Sequence, residues 1–187
     1  MTFNETELPG VWIIEPSVFG DSRGEFLELY REEVFRENIG PIHFVQENQS
    51  TSTQGVLRGL HYQKTPFAQA KLVRVILGEV YDVAVDLRKG SPTFGRYTGT
   101  TLSAENHKQM FLPRGFAHGF LCLSDACVFH YMVDNYYNRE SERSLRFDDP
   151  EVGVEWPLDH DQLILSEKDR FAEILERADL FAFGEEL

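Results

Sequence analysis

Residues 113–120, Pro113-Arg114-Gly115-Phe116-Ala117-His118-Gly119-Phe120, decide the fold. Proline and glycine two positions apart make a turn, and the residues after it lead into a strand read over 118–123 with a histidine at its head. Short alternating runs closed by Gly, Pro, Asn or Asp recur on both sides. They give further strands near 11–15, 26–30, 43–46, 56–62, 71–77, 79–87, 96–102, 109–112, 127–133 and 143–147. With 13% aromatic residues, this spacing predicts a mainly β sandwich or jelly roll rather than a βαβ sheet. Two stretches depart from it. Residues 31–38 read as a short N-terminal helical segment, and 166–180 as a C-terminal helix capped by Ser166, with Phe171, Ile174, Leu175 and Leu180 at helical spacing. The acidic end, Gly184-Glu185-Glu186-Leu187, reads as frayed.

The chain has 187 residues, no internal repeat and no Pro/Gly/Ser linker, so 1–187 is read as a single domain. Eighteen basic against 31 acidic side chains give a formal net charge of -13, which repels nucleic acid. A small anionic ligand would need local cations. Cys122 and Cys127 have no zinc-type spacing and read as buried thiols. No basic-then-apolar leader occurs, nor any run approaching the ~20 apolar residues of a membrane span, so a cytoplasmic protein without a membrane partner is expected.

Alternation also exposes oddities. In 71–77, Lys71 shares a face with Val73, Val75 and Leu77; in 127–133, Tyr131 shares one with Cys127, Phe129 and Val133, and His130 and Met132 take the other. If these faces line a barrel, an ammonium and a phenol sit inside it. Burying an unpaired lysine is costly, so Lys71 must reach the barrel mouth or meet an anionic partner or ligand.

The block Gly55-Val56-Leu57-Arg58-Gly59-Leu60-His61-Tyr62-Gln63 puts Arg58 and His61 on one glycine-flanked strand. The Pro-x-Gly-x-x-His form of 113–118 resembles a cupin half-site, and cupins are jelly rolls (double-stranded β-helices). A metal-binding cupin would present a second histidine at position 63, where this chain has Gln63, so neither metal nor cofactor is expected. Further blocks follow in fixed order over about 8–170: Asp21 to Glu28, Gln46-Glu47-Asn48, Gln69 to Arg74, Asp82 to Arg88, Ser91 to Gly95, Tyr136-Tyr137 and Leu165 to Asp169. Together they resemble the dTDP-4-dehydrorhamnose 3,5-epimerases.

The resemblance implies inversion of C3 and C5, the carbons flanking the C4 ketone of dTDP-4-dehydro-6-deoxy-D-glucose, to give dTDP-4-dehydro-L-rhamnose. A proton next to a ketone can be removed by a weak base if the enolate oxygen is stabilised, then returned from the opposite face by an acid. By similarity His61 is the base, Asp169 fixes its tautomer, Lys71 faces the ketone oxygen and Tyr131 is the acid. Arg23, Phe26, Glu28, Gln46, Asn48, Arg58, His118 and Tyr137 become nucleotide and sugar contacts, some reaching across a homodimer interface. Asp169 also fits the fourth position of a Ser-x-x-acid helix start, and His118 and Asp82 also fit structural buried polar groups. Met132, where the family commonly has lysine, is the cue for an alternative that inverts a single carbon. A noncatalytic cupin that binds a nucleotide sugar is the rival of another class.

Overall fold

The computed structural model describes residues 1–185 and 187, so Glu186 lies outside the described residues. Strands β1 (Thr2–Glu5), β2 (Trp12–Glu15), β3 (Val18–Asp21) and β4 (Gly24–Leu27) precede helix α1 (Glu32–Asn38). Then come β5 (Gln46–Thr53), β6 (Leu57–Gln63), β7 (Lys71–Leu77), β8 (Glu79–Asp86), β9 (Arg88–Lys89) and β10 (Tyr97–Ser103). The rest comprises β11 (Gln109–Leu112), β12 (Phe116–Cys122), β13 (Ala126–Val133), β14 (Glu142–Ser144), α2 (Glu167–Arg170) and β15 (Phe181–Ala182). One sheet has the order β1-β2-β11-β7-β13-β5 and the other β10-β8-β12-β6-β14. Strands distant in sequence are neighbours, as in the jelly roll read from the sequence.

Between the sheets lie Val73, Val75, Met110 and Phe129 from the first and Val80, Ala84, Phe116 and Phe120 from the second. Each of these side chains except Ala84 contributes roughly 1.5–3 kcal/mol on burial, so this layer fixes how the sheets face each other. Both outer faces are covered too. Val152, Val154, Leu175 and Phe181 pack on Leu60, Tyr62, Val83 and Val85 of the second sheet, and Phe35 of α1 packs with Ile14, Leu72 and Phe111 of the first.

Most expected strands form within a few residues of their expected bounds, and α1 falls within the expected 31–38, with Arg31 as its extended N-cap. Four departures have physical causes. The expected strand 43–46 begins only at Gln46 and runs on to Thr53 as β5, whose polar residues pair along all of β13. The hairpin β3–β4 was expected only as 26–30, yet its first strand is exposed throughout and lacks any buried stripe. The C-terminal helix spans one turn, not 166–180. Beyond it, Arg146 donates its amide to the Glu173 carbonyl at 2.9 Å and the Leu175 amide donates to Asp149 Oδ2 at 2.7 Å, drawing the segment along the sheet and seating Leu175 in the core. Last, the end is tied rather than frayed at its described residues: Arg114 Nη1 donates to the Leu187 carbonyl at 2.8 Å and Glu185 accepts from the Ala182 amide at 2.9 Å.

Two irregularities in the ladders set the faces. Between β7 and β13 the register shifts between Val128 and Phe129, so Val75 stays inside while Leu77 becomes exposed and leaves the face it was expected to share with Lys71. Between β12 and β6, His118 pairs with His61 but Phe120 pairs with Arg58. One extra residue on β6 therefore sits opposite Gly119. In a regular strand Arg58 and His61, three apart, would point to opposite faces; the bulge turns both toward the interior. Glycine is required there, because Gly59 has φ +141° and a Cβ on it would lie 2.5 Å from Gly119 Cα.

Candidate active site

The inward faces converge on a cavity of ≈ 180 Å³ lined by Ser50, Arg58, His61, Lys71, His118, Phe120, Phe129 and Tyr131. Larger concavities lie elsewhere on the surface, among them one of ≈ 350 Å³ that includes Phe26 and Glu28 and one of ≈ 450 Å³ beneath the C-terminal tail, but neither of these two gathers such a set of titratable groups.

His61 projects from β6, and its Nε2 lies 2.5 Å from Asp169 Oδ1. Asp169 is 3% exposed and stands in the single turn of α2. Its amide donates to Ser166 Oγ at 3.2 Å, so Ser166 caps the turn and the Asp169 carboxylate is left for the histidine. Burial pushes the Asp169 carboxyl up, but hydrogen bonds from His61 and Ser166 outweigh it and hold the group below its ordinary value. A carboxylate that stays ionised accepts a hydrogen, which places the ring proton on Nε2 and leaves the Nδ1 lone pair unprotonated.

Across the cavity, from the other sheet, come Lys71 on β7 and Tyr131 on β13. Burial lowers Lys71 to about 8, against the pull of the Asp82 and Glu142 carboxylates, and its ammonium has no hydrogen-bond partner among the described residues. The Tyr131 hydroxyl is raised by burial, with Arg58 acting in the opposite sense. His118, 8% exposed, lies 2.9 Å through Nε2 from Asp82 Oδ2. Burial lowers His118 and raises Asp82, while each partner pulls the other back.

The expected binding residues divide into two groups. Arg58 lines the cavity, its Nε donating to Ser52 Oγ at 3.0 Å. Gln46 and Asn48 share the inward face of β5, and Asn48 pairs directly with Tyr131. Gln46 Nε2 donates to Asn48 Oδ1 at 2.9 Å, while Gln46 Oε1 accepts the Tyr137 amide at 3.0 Å. Tyr137 joins the rim through its hydroxyl, 3.3 Å from Glu142 Oε2. Arg23, Phe26 and Glu28 do not join them. Arg23 and Phe26 sit on the β3–β4 hairpin with side chains in solvent, Arg23 paired only with Asp21 and Glu28 with Arg31. Ser50, Glu142 and Phe129 were not expected at the site; alternation two residues past Asn48 signals Ser50, whereas Glu142 reaches the site through folding alone.

Gln63 is a tie between loops. Its amide donates to the Phe67 carbonyl at 2.7 Å and its oxygen accepts the Asn138 amide at 2.6 Å. Met132 packs outward with the Leu72 and Phe111 cluster, on the opposite face from Tyr131.

The arrangement provides an oriented imidazole and a phenol on facing sheets with an ammonium nearby, which suits proton transfer at a carbon next to a carbonyl. Residues 5–177 match the family model described as dTDP-4-dehydrorhamnose 3,5-epimerase. A protein of that name from Shigella flexneri is 50% identical over 182 residues, covering 97% of this chain and 99% of its own length. The crystal structure of a Legionella pneumophila dTDP-6-deoxy-D-glucose-3,5-epimerase in complex with dTDP-4-keto-L-rhamnose superposes with a TM-score of 0.93 at 46% identity, covering 97% of each chain. A 3'-monoepimerase from Streptomyces bikiniensis, in complex with dTDP-quinovose, has the same fold at TM-score 0.90 but 35% identity, covering 96% of this chain and 92% of its own. With the family model spanning most of its length and relatives half identical from end to end, the chain belongs to the dTDP-4-dehydrorhamnose 3,5-epimerase family.

Proposed function

We propose that this chain inverts both C3 and C5 of dTDP-4-dehydro-6-deoxy-D-glucose, giving dTDP-4-dehydro-L-rhamnose, with the whole of 1–187 acting as one domain. The observation that carries the reading is the placement of His61, oriented by Asp169, on one sheet and of Tyr131 on the other, with Lys71 beside the space between them. Nδ1 of His61 takes the proton from the carbon next to the ketone. Lys71 holds the negative charge that develops on the ketone oxygen, which in a water-poor cavity is worth far more than in solution. Tyr131 returns a proton to the opposite ring face; His61 then releases its proton to solvent and the tyrosinate takes one from solvent, so both groups are reset. The sequence repeats at the second carbon, since both flank the same carbonyl.

Both-carbon inversion is favoured over the single-carbon alternative by two facts. Relatives named as 3,5-epimerases reach 50–54% identity, whereas the 3'-monoepimerase is at 35%. Met132 faces away from the cavity, so the departure at that position leaves the reacting space unchanged.

A homodimer acting in the cytoplasm is part of the proposal. Phe26 is 68% and Phe19 64% exposed on the β3–β4 hairpin, and the nucleotide contacts expected of Arg23, Phe26 and Glu28 require that hairpin to serve a partner's cavity. Among the described residues no helix is long and apolar enough to cross a membrane.

Tyr131→Phe is the discriminating variant. It retains the base and the enolate site, so in deuterated water it is expected to exchange substrate protons while inverting fewer centres, as read by NMR of the sugar. Full double inversion by this variant would assign the acid to another group.

A further inference from the structure

Asp82 lies between Val80 and Ala84, which both enter the core between the sheets, so its side chain points to the interior, beside the cavity-lining His118. It is wholly buried. One carboxylate oxygen meets His118 at 2.9 Å, and the other, Oδ1, has no partner among the described residues. A buried carboxylate oxygen left without a donor is costly, and such groups are few in native structures. The Lys71 ammonium, which lines the same cavity as His118, likewise has no hydrogen-bond partner among the described residues. An ordinary salt bridge would have joined the two and left Lys71 unavailable to a ligand.

We propose that Asp82 is a positioning residue that keeps Lys71 charged without bonding it, so that a cation stands ready for the enolate oxygen. The inference rests on the enolisation chemistry given above. Asp82 is the leading electrostatic support of the protonated amine, ahead of Glu142 at the rim, while Lys168 opposes it. The remaining titratable groups lining the cavity are Arg58, His61, His118 and Tyr131, none of them a carboxylate, and Asp82, bonded to His118, is the wholly buried carboxyl group beside them. Among the described residues the carboxylate is bonded at Oδ2 by His118 and makes no hydrogen bond to Lys71.

The direct readout is the pH dependence of Lys71 acylation by acetic anhydride, followed by peptide mass spectrometry, since only the neutral amine reacts. In the unmodified protein the midpoint is expected at about 8. Removing the anion disfavours the ammonium, so Asp82→Asn is expected to lower the midpoint by about one pH unit, and to move the alkaline limb of kcat down with it. At pH 7.5 this leaves roughly threefold less charged Lys71. His118→Asn removes the hydrogen bond but keeps the carboxylate, and is expected to leave the midpoint at or above its original value. An unchanged midpoint in Asp82→Asn would overturn the proposal and reduce Asp82 to a support for His118. A fall in His118→Asn would overturn it as well, and decides the matter even if Asp82→Asn does not fold. Labelling requires no turnover, so these outcomes are separate from failure of the epimerase reading, which product analysis of the unmodified protein tests.

Discussion

His61→Ala is expected to lower turnover of dTDP-4-dehydro-6-deoxy-D-glucose by about 10²–10⁴-fold, the usual contribution of a positioned acid or base. The expectation rests on geometry. Asp169 fixes one ring nitrogen and the β6 bulge aims the ring inward, while the other imidazole lining the cavity, His118, is 8% exposed and paired with the buried Asp82. Binding of dTDP is expected to change little, because the nucleotide contacts are proposed on other residues. Stopped-time assays together with calorimetric titration of dTDP separate lost chemistry from lost binding. A decrease below about tenfold would mean that another group removes the proton.

Gly59→Ala is expected to act on fold and function together. The new Cβ would meet the Gly119 backbone at 2.5 Å from a φ of +141°, so neither a rotamer change nor a small local shift relieves it. Strain at such a φ and overpacking each cost about 1–3 kcal/mol, giving a loss of about 3 kcal/mol or more. In a chain of this size that lowers the melting temperature by roughly 6–12 °C. Because the bulge at Gly59 brings Arg58 and His61 to one face, the protein that still folds should also lose turnover. Thermal unfolding and an assay below the transition check both halves; an unchanged melting temperature would mean that β6 and β12 can part without cost.

The apolar strands were legible because each buries a stripe on a covered sheet, as β8, β12 and β13 do. β5 was not, for a reason tied to function: Gln46, Asn48, Ser50 and Ser52 give it a polar inward face, so the alternation that marks a strand is missing where the strand lines a cavity. Lys71 and Tyr131 stood out as polar residues on apolar faces, and the structure puts them at one cavity. The gathering of Arg58 and His61 on one face was hidden, since three-residue spacing in a strand normally separates them. For Asp169, sequence spacing left capping and histidine pairing both open; in the fold Ser166 supplies the cap and the carboxylate pairs with His61. The C-terminal segment misled because Phe171, Ile174 and Leu175 carry helical spacing, while tertiary hydrogen bonds to Arg146 and Asp149 hold 173–175 on the sheet and leave only an isolated turn after Ile174.

The account's central claim is that side chains alone enolise the sugar toward both neighbours of the ketone. Its most direct test is incubation of the unmodified protein, exhaustively treated with a chelator, with dTDP-4-dehydro-6-deoxy-D-glucose in deuterated water, reading each ring carbon by NMR. Deuterium at both C3 and C5, with both configurations inverted, is the predicted result. Exchange at only one of the two carbons, or none until a particular metal ion is restored, would contradict it.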